Sequence, residues 1–213
     1  MPEGAPFDPR CRRCPRLAAY LDSSSKTHAG YLCRPVPAFG VAKPRLLVVG
    51  LAPGLHGANR TGRPFTGDHA GLLLYRTLYE TGFASQPHSQ SADDALRLLN
   101  ARITNAVRCV PPANKPTPQE IRQCNRYLRH ELATLRSVRV IVALGRIAHD
   151  AVLAALDRAR SEFKFGHAAE HSLDDSRMLL NSYHCSRYNT QTRRLTEPMF
   201  RAIFERARQL TET

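Results

Sequence analysis

The sequence lacks the long apolar segments and the leader pattern that membrane and secreted proteins carry. No run approaches the roughly 18 consecutive apolar residues that a membrane-spanning helix needs. The first residues do not follow the charged and then apolar pattern of a signal peptide. We therefore expect a protein that is neither inserted into a membrane nor secreted, and we place it in the cytoplasm.

Lysine is scarce in this chain, whereas arginine is abundant. The 31 basic residues comprise 4 lysines and 27 arginines, against 18 acidic residues. A skewed genomic composition would explain the ratio of arginine to lysine, but it does not explain the net charge of +13. Arginine binds phosphate through a planar fork and stacks on bases. The charge therefore predicts a nucleic-acid partner, with an anionic membrane or an acidic protein as alternatives.

The six cysteines indicate metal or cluster binding, because a chain without a secretion signal is not expected to contain a disulfide framework. Cys11 and Cys14 form a Cys-x-x-Cys pair, and the sequence lacks a second such pair. The remaining candidates are Cys33, Cys109, Cys124 and Cys185. Four thiolates suit either tetrahedral zinc or a 4Fe-4S cluster, and the spacing leaves both possibilities open.

The pattern of apolar residues predicts an α/β fold in a single domain that spans residues 1–213. Residues 1–40 are rich in proline, arginine and small polar residues, which predicts an irregular N-terminal arm held by the group that Cys11 and Cys14 bind. Short apolar runs predict strands at 45–51, 102–109, 138–144 and 178–183. Helical spacing predicts helices at 69–82, 118–136, 145–157 and 197–210. Strands that alternate with helices imply a parallel sheet covered on both faces.

Polar loops follow the predicted strands at the edge of the sheet where α/β proteins bind ligands. The first loop contains Gly50, Leu51, Ala52, Pro53 and Gly54, followed by His-Gly-Ala-Asn-Arg-Thr-Gly-Arg-Pro-Phe-Thr-Gly-Asp at 56–68. It is neither a P-loop nor a dinucleotide fingerprint. Two further loops begin near residues 109 and 182. The three loops bring one aromatic ring, one carboxylate, one amide and one imidazole to the same edge, namely Phe65, Asp68, Asn114 and His184.

In four blocks the sequence resembles the type b uracil-DNA glycosylases, also called family 5 of that superfamily. The blocks are GLAPG at 50–54, NRTGRPFTGD at 59–68, NAVRCVPPANKPTP at 105–118 and HCSRYNTQTRRLT at 184–196. The resemblance implies a three-layer α/β/α sandwich around a four-stranded parallel sheet. It also implies excision of uracil, and of other deaminated bases such as hypoxanthine and xanthine, from DNA. A 4Fe-4S cluster is implied as well, with Cys11, Cys14, Cys109 and Cys124 as ligands, which favours iron-sulfur over zinc and leaves Cys33 and Cys185 as spare thiols.

The chemistry of the reaction assigns roles to two of these side chains. Hydrolysis of an N-glycosidic bond builds positive charge on the sugar and negative charge on the departing base. Asp68 fits the first position and His184 the second, as the resemblance also implies for the aspartate. Leu51 and Ala52 stand where related branches place a polar or acidic side chain, so residues 50–54 are expected to contact the substrate through their backbone. Asp68 can alternatively be a helix N-cap, and His184 a structural histidine.

Recognition of the damaged base requires the nucleotide to leave the duplex and enter a pocket. Phe65 is the predicted stacking platform and Asn114 the predicted hydrogen-bonding amide; their alternatives are a core aromatic and a turn residue. Residues 186–194 are predicted to enter the duplex and contact phosphates, unless they form a solvated loop. The residues predicted to bind DNA in this segment are Ser186, Arg187, Asn189, Gln191, Arg193 and Arg194. Cys185 replaces the proline of many relatives, which places a thiol beside the site.

These observations predict a monofunctional glycosylase that uses water as its nucleophile and leaves an abasic site. Apart from Lys115, the pocket segments contain no lysine that could form a Schiff base with the sugar. Two alternatives are a non-catalytic iron-sulfur module that binds DNA and senses damage or redox state, and a zinc-containing enzyme acting on small molecules. We expect a monomer associated with the nucleoid, whose partner is DNA containing deaminated bases.

Overall fold

A six-stranded sheet forms the centre of the molecule in the computed structural model, which describes residues 4–212. The strands are β1 (Phe39–Gly40), β2 (Leu46–Gly50), β3 (Ala101–Asn105), β4 (Val140–Leu144), β5 (Glu170–Ser172) and β6 (Met178–Ser182). Their order is β1-β3-β2-β4-β6-β5. The four central strands are parallel, whereas β1 and β5 pair antiparallel at the two edges. The predicted four-stranded parallel sheet is therefore the centre of a wider, mixed sheet.

Helices cover both faces of the sheet and confirm the predicted three-layer sandwich. They are α1 (Pro15–Thr27), α2 (Ala58–Thr61), α3 (His69–Glu80), α4 (Pro118–Thr134), α5 (Arg146–Ala155), α6 (Arg187–Gln191) and α7 (Glu197–Glu212). None of the helices within residues 4–212 combines the length and the apolarity that crossing a membrane requires.

The side chains of β2 show how the two faces are divided. Leu46 and Val48 pack with residues of α3 and α7. Leu47 and Val49 point to the other face and pack with residues of α4 and α5. Side chains alternate along a strand, so a strand with a helix layer on each face must be apolar at every position. This explains why β2 and β4, at the centre of the sheet, are short uninterrupted apolar runs rather than alternating ones.

The N-terminal arm is less irregular than predicted, because residues Pro15–Thr27 form α1. Proline at its first turn and buried Leu17, Ala18 and Leu21 on one side explain the helix. This side packs on Val107 and Val110, which follow β3. Residues 1–3 of the predicted arm, and residue 213 at the other end of the predicted domain, lie outside the described residues.

The chain between β3 and α4 differs from prediction in its length and shape. The second predicted strand ends at Asn105, although Ala106 and Val107 still donate backbone hydrogen bonds to the carbonyls of Gly50 and Leu51. The chain then bends through a 3-10 turn at Pro112–Asn114. Thr117 is the N-cap of α4. It forms a capping box with Glu120, so the start of this helix is defined locally.

Candidate active site

Two adjoining cavities lie at the edge where the parallel strands end. The smaller cavity has a volume of about 390 Å³. It contains Phe65, Asp68, Asn114 and His184, the four side chains predicted to converge, and is also lined by Leu51, Ala52, Gly54, His69, Ala70, Ser186 and Arg187. The larger cavity has a volume of about 870 Å³ and shares Gly54, Phe65, Asp68, His69, Asn114 and Arg187 with it.

The carboxylate of Asp68 is both a helix cap and part of the cavity wall. It accepts a hydrogen bond from the backbone N–H of Gly71 at 3.0 Å and is the N-cap of α3. Burial raises the pKa of Asp68, while the N–H groups of Gly71 and Ala70 and the charge of His69 act to lower it. Glycine at position 57 permits the close approach of the loop, because a Cβ there would lie 2.5 Å from Oδ2 of Asp68. The structural and the chemical interpretations of Asp68 are therefore compatible.

His184 follows β6 directly and presents a neutral imidazole to the smaller cavity. Burial lowers the pKa of His184 to about 4, so the ring is uncharged at neutral pH. The ring stacks near that of Phe65, with centroids 6.0 Å apart and planes 29° apart. Its backbone carbonyl accepts a hydrogen bond from the Asn189 side chain at 2.8 Å. Among residues 4–212, none forms a hydrogen bond with either ring nitrogen, which leaves both available to a ligand.

Phe65 is at once a core aromatic and a wall of both cavities. Its side chain is 7% exposed and belongs to the core beneath α3 and α7. The backbone at Phe65 has a φ of 55°, in the left-handed region that bulky residues rarely adopt. A Cβ at Gly50 would lie 2.5 Å from the ring, so this glycine allows the ring to approach β2. Gly50 and Pro53 are not among the described residues that line the two cavities, so their contact with substrate remains a prediction.

Asn114 lies at the mouth of both cavities and is exposed. It ends the 3-10 turn, and both Ala113 and Asn114 have φ values in the left-handed region, 53° and 56°. Asparagine tolerates this conformation better than most residues. The turn therefore explains the residue type and also places the amide where a ligand can reach it.

The segment 186–194 is a short helix rather than an open loop. Ser186 is the N-cap of α6, accepting from the N–H of Asn189 at 3.4 Å, and Arg187 lines both cavities. Gln191 and Arg193 instead line a third cavity of about 600 Å³. The guanidinium of Arg194 lies 4.7 Å from the centre of the Tyr183 ring. Of the six predicted DNA-binding residues, therefore, only Ser186 and Arg187 line the smaller cavity.

Cys185 does not present a thiol to the cavity. It is fully buried in the core beneath α3 and α7, and burial raises its pKa. The negative charge of Asp68 adds to this increase. The position after His184 is therefore a packing position.

Several residues of the larger cavity were not predicted from the sequence: Tyr20, Leu55, His56, His69, His88, Ser89 and Gln90. The loop that carries positions 88–90 has no periodic pattern, and a buried arginine determines its place. Arg63 donates to Ser89 Oγ at 3.0 Å and to the carbonyl of Ala92 at 2.6 Å, and it pairs with Asp94 at 2.5 Å. His69 alone carried a signal, since it directly follows Asp68.

The four predicted ligand cysteines line one separate cavity. Cys109 and Cys124 are buried, and Cys11 and Cys14 are half-buried beside them. The backbone N–H of Arg108 donates to Sγ of Cys124 at 3.2 Å. Within residues 4–212, no group of three or more metal-binding side chains is arranged around a single ion. Cys33 lies outside this cavity, and its Sγ accepts from the Asn59 side chain at 3.5 Å.

Comparison with known proteins gives a consistent result. The sequence model of the uracil DNA glycosylase superfamily matches residues 37–208. The chain is 51% identical over 205 residues to the type-5 uracil-DNA glycosylase of Thermus thermophilus, covering 94% of this chain and 93% of the relative. It is 40% identical to that of Pyrobaculum aerophilum, covering 92% of this chain and 87% of the relative. The type-4 uracil-DNA glycosylase of Archaeoglobus fulgidus is 36% identical over 139 residues, covering 65% of this chain and 56% of the relative.

Proposed function

Because the chain belongs to the uracil DNA glycosylase superfamily, we propose that it hydrolyses the N-glycosidic bond of deoxyuridine in DNA, releasing uracil and leaving an abasic site. The observation that carries the proposal is the smaller cavity. It combines a carboxylate, an uncharged imidazole, an aromatic ring and an amide, which come from separate segments of the chain. Each of these groups suits one requirement of the reaction.

The base is held by the groups at the wall and mouth of the cavity. A nucleotide turned out of the duplex would lay its base against Phe65, whose ring is fixed by the core, and its edge would meet the amide of Asn114. Leu51, Ala52 and Gly54 add no charged side chain to this wall. Polar contacts from this loop would therefore come from its backbone.

Breaking the C1′–N glycosidic bond separates charge, and two side chains of the cavity, Asp68 and His184, stabilise the two charges. The C1′–N bond breaks with its electron pair passing to the base. Water adds to C1′ and gives up one proton to the solvent, from which the departed base anion takes up one proton. The carboxylate of Asp68 stabilises the cationic sugar or orients the water. A ring N–H of His184 donates to the oxygen of the departing base, and the low pKa keeps this donor neutral, so it stabilises the anion without protonating it.

Water is the proposed nucleophile, and the enzyme is proposed to be monofunctional. Lys115, the only lysine in the 105–118 block, is exposed and is not among the described residues that line the cavities. Hypoxanthine and xanthine are included as proposed substrates because the smaller cavity opens into the larger one and is not closed around a pyrimidine. The proposed partner is DNA containing deaminated bases, and we propose that the protein binds it as a monomer.

Cys11, Cys14, Cys109 and Cys124 would hold a 4Fe-4S cluster. Four cysteine thiols that line one cavity fit such a cluster, because 4Fe-4S clusters are held by four cysteine thiolates. When bound, the group would supply a covalent link between the segment that leads into α1, the segment after β3 and helix α4. Apolar packing already joins the same segments, because Leu17 of α1 and Val107 after β3 belong to the hydrophobic core that also contains Cys109 and Cys124.

The proposal is tested with duplexes that each contain one lesion, at a stated salt concentration, with base release and DNA affinity measured separately. Wild-type protein should release uracil, whereas D68N and H184A should retain DNA binding and lose most of the release. A protein that binds these duplexes and releases no base would instead be a damage or redox sensor. Release that survives in both variants would refute the assignment of the site.

A further inference from the structure

His69 lies at the junction of the three cavities at this edge of the sheet. It is the first residue of α3, directly after Asp68, and its side chain lines the smaller, the larger and the third cavity. Its Nε2 lies 3.1 Å from Oγ1 of Thr190. This contact joins residues 121 positions apart in the sequence. It directly joins the helix that Asp68 caps to the segment proposed to enter DNA.

Thr190 lies within α6, and its neighbours fix that helix to the site from the other side. The hydroxyl of Thr190 is also within hydrogen-bond distance of the carbonyls of Ser186 and Arg187, at 3.2 and 3.0 Å. One position earlier, the side chain of Asn189 donates to the carbonyl of His184. The segment is therefore attached at two points, one beside Asp68 and one at His184.

A five-residue helix depends on such attachments, because isolated helices of this length are not stable in water. None of the residues of α6 is buried, so the packing of apolar side chains contributes little to holding this helix in place. A hydrogen bond from a different element therefore has more influence on its position than it would in a long packed helix.

We propose that His69 is a positioning residue, which holds α6 in register with the Asp68 carboxylate through its hydrogen bond to Thr190. This proposal rests on the proposed function, since it assigns α6 to DNA engagement.

The proposal predicts a specific pattern in variants H69A, T190V and the double variant. In a D68N background, in which release of uracil is slow enough for binding to be measured first, each single variant should weaken the affinity for the uracil duplex by about 3- to 10-fold, the value of one hydrogen bond. The double variant should be no weaker than either single variant, because both remove the same contact. H69Q, whose amide can reach Thr190, should restore most of the affinity.

Kinetics with Asp68 intact provide a second readout. Under single-turnover conditions, T190V should raise the DNA concentration for half-maximal release while leaving the maximal rate within about 2-fold, because the reacting groups are untouched. The matched controls are H130A, T134V and their double variant, which alter a histidine and a threonine four residues apart in α4. Among residues 4–212, the hydroxyl of Thr134 bonds only to carbonyls of its own helix, so these controls should not change affinity.

Three outcomes would overturn the proposal: additive losses in the double variant, unchanged affinity in H69A, or no recovery in H69Q. They are distinguishable from failure of the proposed function. If the wild-type protein released no uracil, the glycosylase assignment would fail, while the pattern of affinities would still decide whether His69 and Thr190 act as one unit.

Discussion

The carboxylate of Asp68 accepts a hydrogen bond from the backbone N–H of Gly71 at 3.0 Å, and the backbone carbonyl of Phe65 lies against the same glycine. A Cβ at Gly71 would lie 1.7 Å from that carbonyl oxygen. The start of α3 is therefore packed directly against the backbone of Phe65. One turn of backbone fixes both the proposed anion and the proposed base-binding ring.

Replacing Asp68 with asparagine should separate its two roles. Asparagine caps helices as well as aspartate does, so the free energy of unfolding of D68N should lie within about 0.5 kcal/mol of the wild-type value. D68A lacks the cap, and its free energy of unfolding should be lower by about 1 kcal/mol. Both variants lack the charge, and release of uracil should fall by about 100-fold or more in each. Urea unfolding and single-turnover release measure the two effects. A D68N protein that is fully active would show that the residue is only a cap.

The low pKa of His184 should make folding stability depend on pH. An unfolded histidine titrates near 6.5, whereas folded His184 titrates near 4. Between these values the unfolded chain binds a proton that the folded protein does not, so this contribution is present above pH 6.5 and is lost as the pH falls towards 4. Asp68 has the opposite sign, because its pKa is raised on folding.

In H184N, therefore, the free energy of unfolding should fall less between pH 6.5 and pH 4 than it does in the wild type. The difference over that interval should be about 1–3 kcal/mol. Urea unfolding at several pH values measures this difference. H130N serves as the control for removing a histidine from the protein. Identical slopes for the wild type and H184N would show that His184 titrates normally in the folded protein.

Gly50 should be required for the position of the Phe65 ring. A Cβ at this position would lie 2.5 Å from the ring and 2.4 Å from Oδ1 of buried Asn105. G50A should therefore displace the platform and lower kcat/KM for uracil release by about 10-fold or more. G166A is the matched control, since its Cβ would meet only the Cβ of Ala169 at 3.8 Å. Equal activity of G50A and G166A would contradict this placement of the ring.

Arg187 should contribute one phosphate contact. It is exposed and lines both cavities. Arg136 is also exposed, but it lies between α4 and β4, near the amino-terminal ends of the parallel strands and therefore away from the cavities. R187A should reduce the slope of log affinity against log salt by about 1, and R136A should leave it unchanged. Affinity for an undamaged duplex at several salt concentrations provides the slopes. An equal change in both variants would indicate a general effect of net charge.

Loss of a cluster ligand should remove iron from the protein. Purified wild-type protein should be brown, absorb at roughly 400 nm and contain about four irons per chain, and C109S or C124S should lose both signals. C33S should keep them, because Cys33 lies outside the cavity that the four ligands line. Zinc in place of iron, at one ion per chain, would refute the iron-sulfur assignment.

The central strands and the main helices could be predicted because their signals are local. Apolar runs of about five residues between helical segments permit little other than buried parallel strands. Helix α1 was missed because prolines and arginines dominate its surroundings, and its apolar side finds a partner only in Val107 and Val110 after β3. The edge strands β1 and β5 are too short to leave a pattern in the sequence.

The sequence by itself determined the parallel α/β core and the basic charge. It also determined that Phe65, Asp68, Asn114 and His184 lie near one another, because they follow parallel strands whose carboxyl ends meet on one side of the sheet. Tertiary structure decided the rest of the site. Arg63 places the loop at 88–90, and the bond between His69 and Thr190 places α6. Such contacts join residues far apart in the chain, and neither periodicity nor spacing records which distant partners a folded backbone will bring together.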